Sequence, residues 1–235
     1  MTRLAPSSIH MALLQSKLLS EAGFRHGFPE RGTDDRELMR ALGAARIAGA
    51  RQVHGACAVE GLDTEGKQAD AVIGRARRQE QEQDRGLAVG VRVADCVPVL
   101  VGDLATGDVA AIHAGWRGIV AGVVRSGLER LGGRSIVAAI GPCIGRCCFE
   151  VGHDVADAIA SACPGVQVVI PFSAETDMVD LRIAVRGQLR ALDVDDSSID
   201  DVVGCTKHDS RFHSFRRDGP SSGRMLAAIA VRSYF

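Results

Sequence analysis

No stretch of the chain approaches the ~20 consecutive apolar residues of a membrane-crossing helix, so no helical span is expected. Excess charge of either sign is also missing. With 28 Lys and Arg against 29 Asp and Glu, the formal charge of -1 offers no field to gather nucleic acid or an anionic membrane surface. The expected partner is therefore a small molecule, with no nucleic acid and no membrane. The opening segment MTRLAPSSIHMALLQSKLL lacks the unbroken apolar core of a secretion signal, because Gln15 and Lys17 fall inside it; a cytoplasmic protein is expected. The cysteine framework of a small secreted domain is missing too. Seven cysteines are an odd number, scattered through apolar segments and one Cys-x-x-x-Cys-Cys cluster, and reduced thiols are expected. Linker-like breaks, internal repeats and low-complexity tracts are absent, so residues 1–235 are expected to form one domain.

Apolar residues are abundant at 46%, enough for a sizeable core. Residues 8–22 carry a helical stripe that stops at Gly23, and 24–33, dense in Gly, Pro and charge, reads as a loop. Asp34 or Asp35 caps a helix carrying Leu38, Met39, Leu42 and Ile47, with its end near Gly49. Short β-type runs follow at 52–60, 69–73, 86–101 and 107–113, and the charged run at 75–85 reads as a solvated loop. Further helices are predicted at 118–131, 151–162, 180–192 and 221–232, with strands at 135–141, 166–170 and 199–205. The alternation predicts an α/β fold in which mixed β-sheet layers are flanked by helices.

Three polar residues stand where a structural sequence has little use for them: His54 in RQVHG, Cys96 in VADCVPVL and His113 in AIHAGWRG. Two imidazoles and a thiolate are ligands that Zn²⁺ accepts, and three protein ligands leave a position open for water or substrate. The other reading is a buried cysteine and two histidines satisfied by backbone groups. Gly115 to Gly118 follow at a strand-to-helix junction, where helix-start N–H groups and Arg117 can meet an anion; a packing turn anchored by Trp116 is the alternative. The segment 205–224 holds two His and four Arg. Within it, His213 and Arg216 suit phosphate or substrate contact, unless the arginines simply pair with Asp209 and Asp218. Cys143, Cys147 and Cys148 lack a partner pair at metal-ligand spacing and are expected to pack structurally, as are Cys57, Cys163 and Cys205.

The motifs HGFPERG, RQVHG, ADAVIG, VADCVPVL, AIHAGWRG, IGPCIGRCCFEVG, FHSFRRDG and SGRM occur in an order that resembles the laccase-domain family. That family is also called polyphenol-oxidase-like or peptidoglycan-editing-factor proteins, and its members are described as purine nucleoside phosphorylases. The resemblance implies a catalytic domain with a fold like that of deamidating-toxin cysteine hydrolases. It implies a zinc site at His54, Cys96 and His113, with copper possible. It also places Arg31 in the substrate or phosphate pocket, although Glu30 stands where the family has Thr and its second Gly is missing. The implied reactions are phosphorolysis of adenosine, inosine, guanosine or methylthioadenosine with phosphate, and adenosine deamination. Asp95, beside Cys96, is a candidate for proton transfer or ligand support, or else a turn carboxylate. Against a multicopper oxidase, the seven histidines contain no His-x-His pair. Two other readings stay open: a metal-free hydrolase with Cys96 as nucleophile and His113 as base, and a binding protein that has kept the fold without activity.

Overall fold

The computed structural model describes residues 13–62, 64, 66–76 and 86–232. The fold is mixed α/β, built on three mixed or antiparallel sheets. A six-stranded sheet runs in the order Ile199–Asp201, Ile136–Ile140, Val97–Asp103, Val109–Ala114, Ala71–Gly74, Ala58–Glu60. A five-stranded sheet runs in the order Leu13–Leu14, His26–Pro29, Met225–Ala230, Leu87–Val93, Arg46–Ala48. A small antiparallel sheet joins Glu150–Gly152, Thr176–Val179 and Val169–Pro171.

Side-chain alternation explains the layering. Along Val97–Asp103, the side chains of Val97, Val99 and Val101 pack with the helices Trp116–Ala121, Val123–Leu131, His153–Ser161 and Leu181–Arg190, whereas Leu100 packs with Val89, Val91 and Ile229 of the five-stranded sheet. The six-stranded sheet is thus buried on both faces, which is why its strands read as continuous apolar runs rather than as alternation. On the far side of the five-stranded sheet, Leu38 and Leu42 of the helix Asp35–Leu42 close over Ala228 and Ala230. No helix among the described residues is long and apolar enough to cross a membrane.

Several sequence expectations are corrected. The run 86–101 is two strands in different sheets, broken at Ala94-Asp95-Cys96, where Asp95 takes φ +91°. The expected helix at 221–232 is the strand Met225–Ala230, paired on both sides by Leu87–Val93 and His26–Pro29. Leu and Ala favour helix in isolation, but the ladder on both edges overrides that preference. Residues 24–33 contain the fully buried strand His26–Pro29 rather than only loop. The helix begun by the Asp34 capping box with Glu37 stops at Gly43, φ +58°, and Ile47 belongs to a strand. Only Ala58–Glu60 of 52–60 is strand, and 118–131 is two helices parted at Gly122. Within 8–22 the described part holds a two-residue strand and the helix Lys17–Glu21; residues 8–12 and most of the charged run 75–85 lie outside the described residues.

Candidate metal centre

Four local devices bring the three predicted ligands together. Cys96 ends the turn that carries the chain from one sheet to the other, and His113 sits near the end of the strand Val109–Ala114, opposite Pro98. Gly115 follows; a Cβ there would lie 3.0 Å from Cys96 Sγ and 3.1 Å from the His54 ring, so a side chain would crowd two of the three donors. His54 comes from the loop 50–57, held at φ +60°, a left-handed backbone uncommon outside glycine.

That loop is held by Asp70, a fully buried carboxylate. Asp70 accepts the backbone N–H groups of Val53 (3.2 Å), His54 (2.9 Å) and Gly55 (2.8 Å), and it also accepts His113 Nδ1–H at 2.8 Å. One side chain therefore fixes the strained turn under His54 and the orientation of the His113 ring, whose other nitrogen, Nε2, is left to meet Cys96. Asp70 lies in the ADAVIG motif, but the sequence gives no hint of this role. The His54 and His113 rings meet edge-on at 4.8 Å between centroids, and the ligand atoms of His54, Cys96 and His113 all lie within 4.8 Å of one another.

Electrostatics agree with the geometry. Burial works to raise the Cys96 thiol, but hydrogen bonds and charge from His113 and His54 outweigh it and bring the pKa down to about 7. Burial works to lower His113, but Asp70 and Cys96 outweigh it and raise its pKa to about 9. Asp70 is itself held low: burial opposes this, and the His113 bond and the loop N–H groups prevail.

The cluster opens onto a cavity of about 590 Å³, whose walls include Asp95, Arg117 and Arg216 together with Gln52, Arg92, Trp116, Phe149, Phe215 and Arg224. Arg117 lies 4.3 Å over the Trp116 ring and has no carboxylate partner among the described residues. Arg216 bonds the Glu150 carbonyl and covers Phe149; Arg224 bonds the Ser222 and Gly223 carbonyls and covers Phe215. Only Arg92 is neutralised, by Asp35. Arg117, Arg216 and Arg224 thus stand around one apolar-sided cavity with no ion-pair partner among the described residues. Arg92 escapes sequence reasoning because it stands alone among β-type residues, whereas Arg224 belongs to the Arg-rich segment 205–224 and only the fold brings it to the cavity.

The Asp95 carboxylate is fully engaged, accepting Thr206 Oγ1 at 2.6 Å and the Arg216 backbone N–H at 2.7 Å. It straps the Arg216 segment to the Cys96 turn. Arg31 and His213 are not among the cavity-lining residues. Arg31 is exposed and tied through its backbone N–H to the Arg211 carbonyl, and His213 is held low by burial and by the charge of Arg31. Arg211 pairs with Asp209 and Glu30, and Arg217 with Asp218, as the surface-pairing alternative anticipated for those two arginines.

Fold and site together define a class: mixed α/β proteins that present two histidines and a cysteine at the floor of a cationic cavity. The model of the family described as multi-copper polyphenol oxidoreductase laccase matches residues 30–232, and the chain belongs to that family. A protein of Bacteroides thetaiotaomicron named purine nucleoside phosphorylase is 36% identical over 181 residues, covering 69% of this chain and 67% of that one. A protein of an unknown prokaryotic organism named adenosine deaminase RL5 is 35% identical over 153 residues, covering 62% of this chain and 58% of that one. The alignments thus span about two thirds or less of these relatives. Among solved structures, YlmD from Geobacillus stearothermophilus superposes with a TM-score of 0.71 at 26% identity, covering 97% of this chain and 94% of that one.

Proposed function

We propose that this chain is a zinc-dependent purine nucleoside phosphorylase, acting on adenosine, inosine, guanosine or methylthioadenosine, with adenosine deamination as a second reaction at the same site. The observation that carries it is the pairing of a three-donor His/His/Cys cluster with a cavity lined by three arginines that have no ion-pair partner among the described residues. Relatives named for both reactions support the same reading.

The donor set fits zinc: two imidazoles and a thiol, the thiol already eased toward thiolate, with one imidazole oriented by a buried carboxylate. A metal held by His54, Cys96 and His113 would supply Lewis acidity to a substrate in the cavity. Copper is the alternative occupant, as the family's description implies. Arg117, Arg216 and Arg224 bind phosphate and hold it against the ribose, where their fixed charges favour the anion over water. Trp116 and Phe215, each with an arginine stacked on it, supply the apolar wall against which a purine would pack. Asp70 keeps Nδ1 of His113 protonated, and Asp95 positions Arg216. We place the whole reaction in one domain, in the cytoplasm.

A second reading rests on one observation. The Cys96 thiol hydrogen-bonds His113, which in turn bonds Asp70, an order of nucleophile, base and orienting carboxylate that also serves a metal-free cysteine hydrolase of the deamidating-toxin type. Incubating the protein with adenosine, with and without phosphate, separates the cases. Adenine and ribose 1-phosphate forming only with phosphate, alongside inosine, is the expected result. Absence of all three products would reject the proposal, and a metal-free protein in which Cys96 alone is alkylated by a substrate analogue would favour the hydrolase.

A further inference from the structure

A second Cys/His group lies outside the cavity lining. The turn GPCIGRCC brings Cys147 and Cys148 against Cys205 and His208, which come from the loop after the strand Ile199–Asp201. These cysteines lack ligand-like spacing in the sequence because their partners stand about sixty residues away; the fold supplies the pairing. Backbone bonds hold the two loops in register, Cys143 N–H to Gly204 O (3.2 Å) and Thr206 N–H to Cys143 O (3.0 Å), and Cys148 N–H to Gly145 O (2.9 Å) closes the turn itself.

The distances are informative. Cys147 Sγ lies 3.6 Å from Cys148 Sγ, 3.7 Å from Cys205 Sγ and 3.6 Å from His208 Nδ1. With Zn–S of about 2.3 Å and Zn–N of about 2.0–2.1 Å, a tetrahedral ion sets sulfur–sulfur edges near ~3.8 Å and sulfur–nitrogen edges near ~3.5 Å. The three edges that meet at Cys147 Sγ are close to these values. All four donor atoms fall within 4.8 Å of one another. Gly145 completes the cradle: its N–H donates to Cys205 Sγ at 3.2 Å, and a Cβ there would lie 3.3 Å from the sulfurs of both Cys147 and Cys205.

We propose that Cys147, Cys148, Cys205 and His208 form a second, structural zinc site of the Cys₃His type. Four protein ligands leave no open position, so the site holds the fold and does no chemistry. What it holds is the reactive cavity. The turn continues into Phe149, and the loop beyond His208 leads to Phe215 and Arg216, all three in the cavity wall.

Metal content decides it. Cys147 and His208 are both exposed, so the double variant Cys147→Ser, His208→Ala removes two ligands with least disturbance to the core. Wild type and variant are purified from the same zinc-supplemented culture under reducing conditions, and their folds are compared by circular dichroism. The expected difference is one equivalent of zinc, whatever the occupancy of the His54, Cys96, His113 site. Cobalt-loaded wild type should show a stronger thiolate-to-cobalt charge-transfer band than the cobalt-loaded variant. Equal zinc content in the two proteins overturns the proposal. So does a Cys147–Cys205 disulfide, found by mass spectrometry, in the metal-free wild type under the same conditions. Should the double variant fail to fold, His208→Ala alone with the cobalt spectrum gives the same decision, the expected result being a charge-transfer band altered from wild type and the overturning result an unchanged one.

Discussion

Among the described residues, two clusters of cysteine and histidine stand out, and they differ in surroundings more than in chemistry. The His54, Cys96, His113 group has three donors, a buried carboxylate behind it and a cationic cavity in front. The Cys147, Cys148, Cys205, His208 group has four donors, sits at the surface between two loops, and lines no part of that cavity. On the proposed assignments, three donors would leave a position open toward the cavity and four would close the set between the loops. Ligand number and access, rather than ligand type, separate a reactive centre from a staple.

The comparison breaks most readily at His113. His113→Ala should abolish phosphate-dependent adenine release from adenosine with circular dichroism unchanged, while Cys147→Ser, His208→Ala should keep most of it. Equal loss in both variants would merge the two roles. Next in size is Asp70→Asn, which leaves the chain near isosteric but weakens the grip on His113 and on the His54 loop. Metal affinity or turnover should fall by about 10–100-fold, the usual range for a group supporting a metal ligand. Metal titration and kcat measurements check this, and wild-type values for both would remove Asp70 from the site.

Stability sharpens the contrast from the other side. Removing zinc with a chelator should lower the thermal midpoint of wild type more than that of Cys147→Ser, His208→Ala. At a free metal level one hundred times Kd, a bound ion adds about 2.7 kcal/mol to the folded state. Identical chelator shifts in the two proteins would argue that the loops are held without metal. The smallest expected effect is at Arg117. Because Arg117 is exposed, its loss in Arg117→Ala should raise KM for phosphate about tenfold, or ~1.4 kcal/mol, with kcat little changed. A change confined to the nucleoside KM would reassign Arg117 to the base.

The same contrast shows what a sequence reveals. His54, Cys96 and His113 stand out because each is a polar residue beside glycine or at the end of an apolar strand. Asp70 is invisible because its work depends on a side chain turning back onto three N–H groups of a loop some sixteen residues earlier. Cys147 and Cys205 are invisible as partners because only the fold closes the distance between them. The Met225–Ala230 strand is misread as helix because MLAAIA is rich in helix formers, and both flanking ladders must be known before it reads as strand. The Asp95 break hides inside a largely apolar run because one charged residue between two β-type stretches does not show that the strands on either side belong to different sheets.

Zinc add-back to the stripped Cys147→Ser, His208→Ala protein, followed by the rate of ribose 1-phosphate formation, tests the central claim most directly. In that protein only the His54, Cys96, His113 centre remains. Activity should be absent without metal and should rise to a plateau at one equivalent. Full turnover by the stripped protein, or no recovery at any level of zinc, would contradict a metal-dependent reactive centre at these three residues.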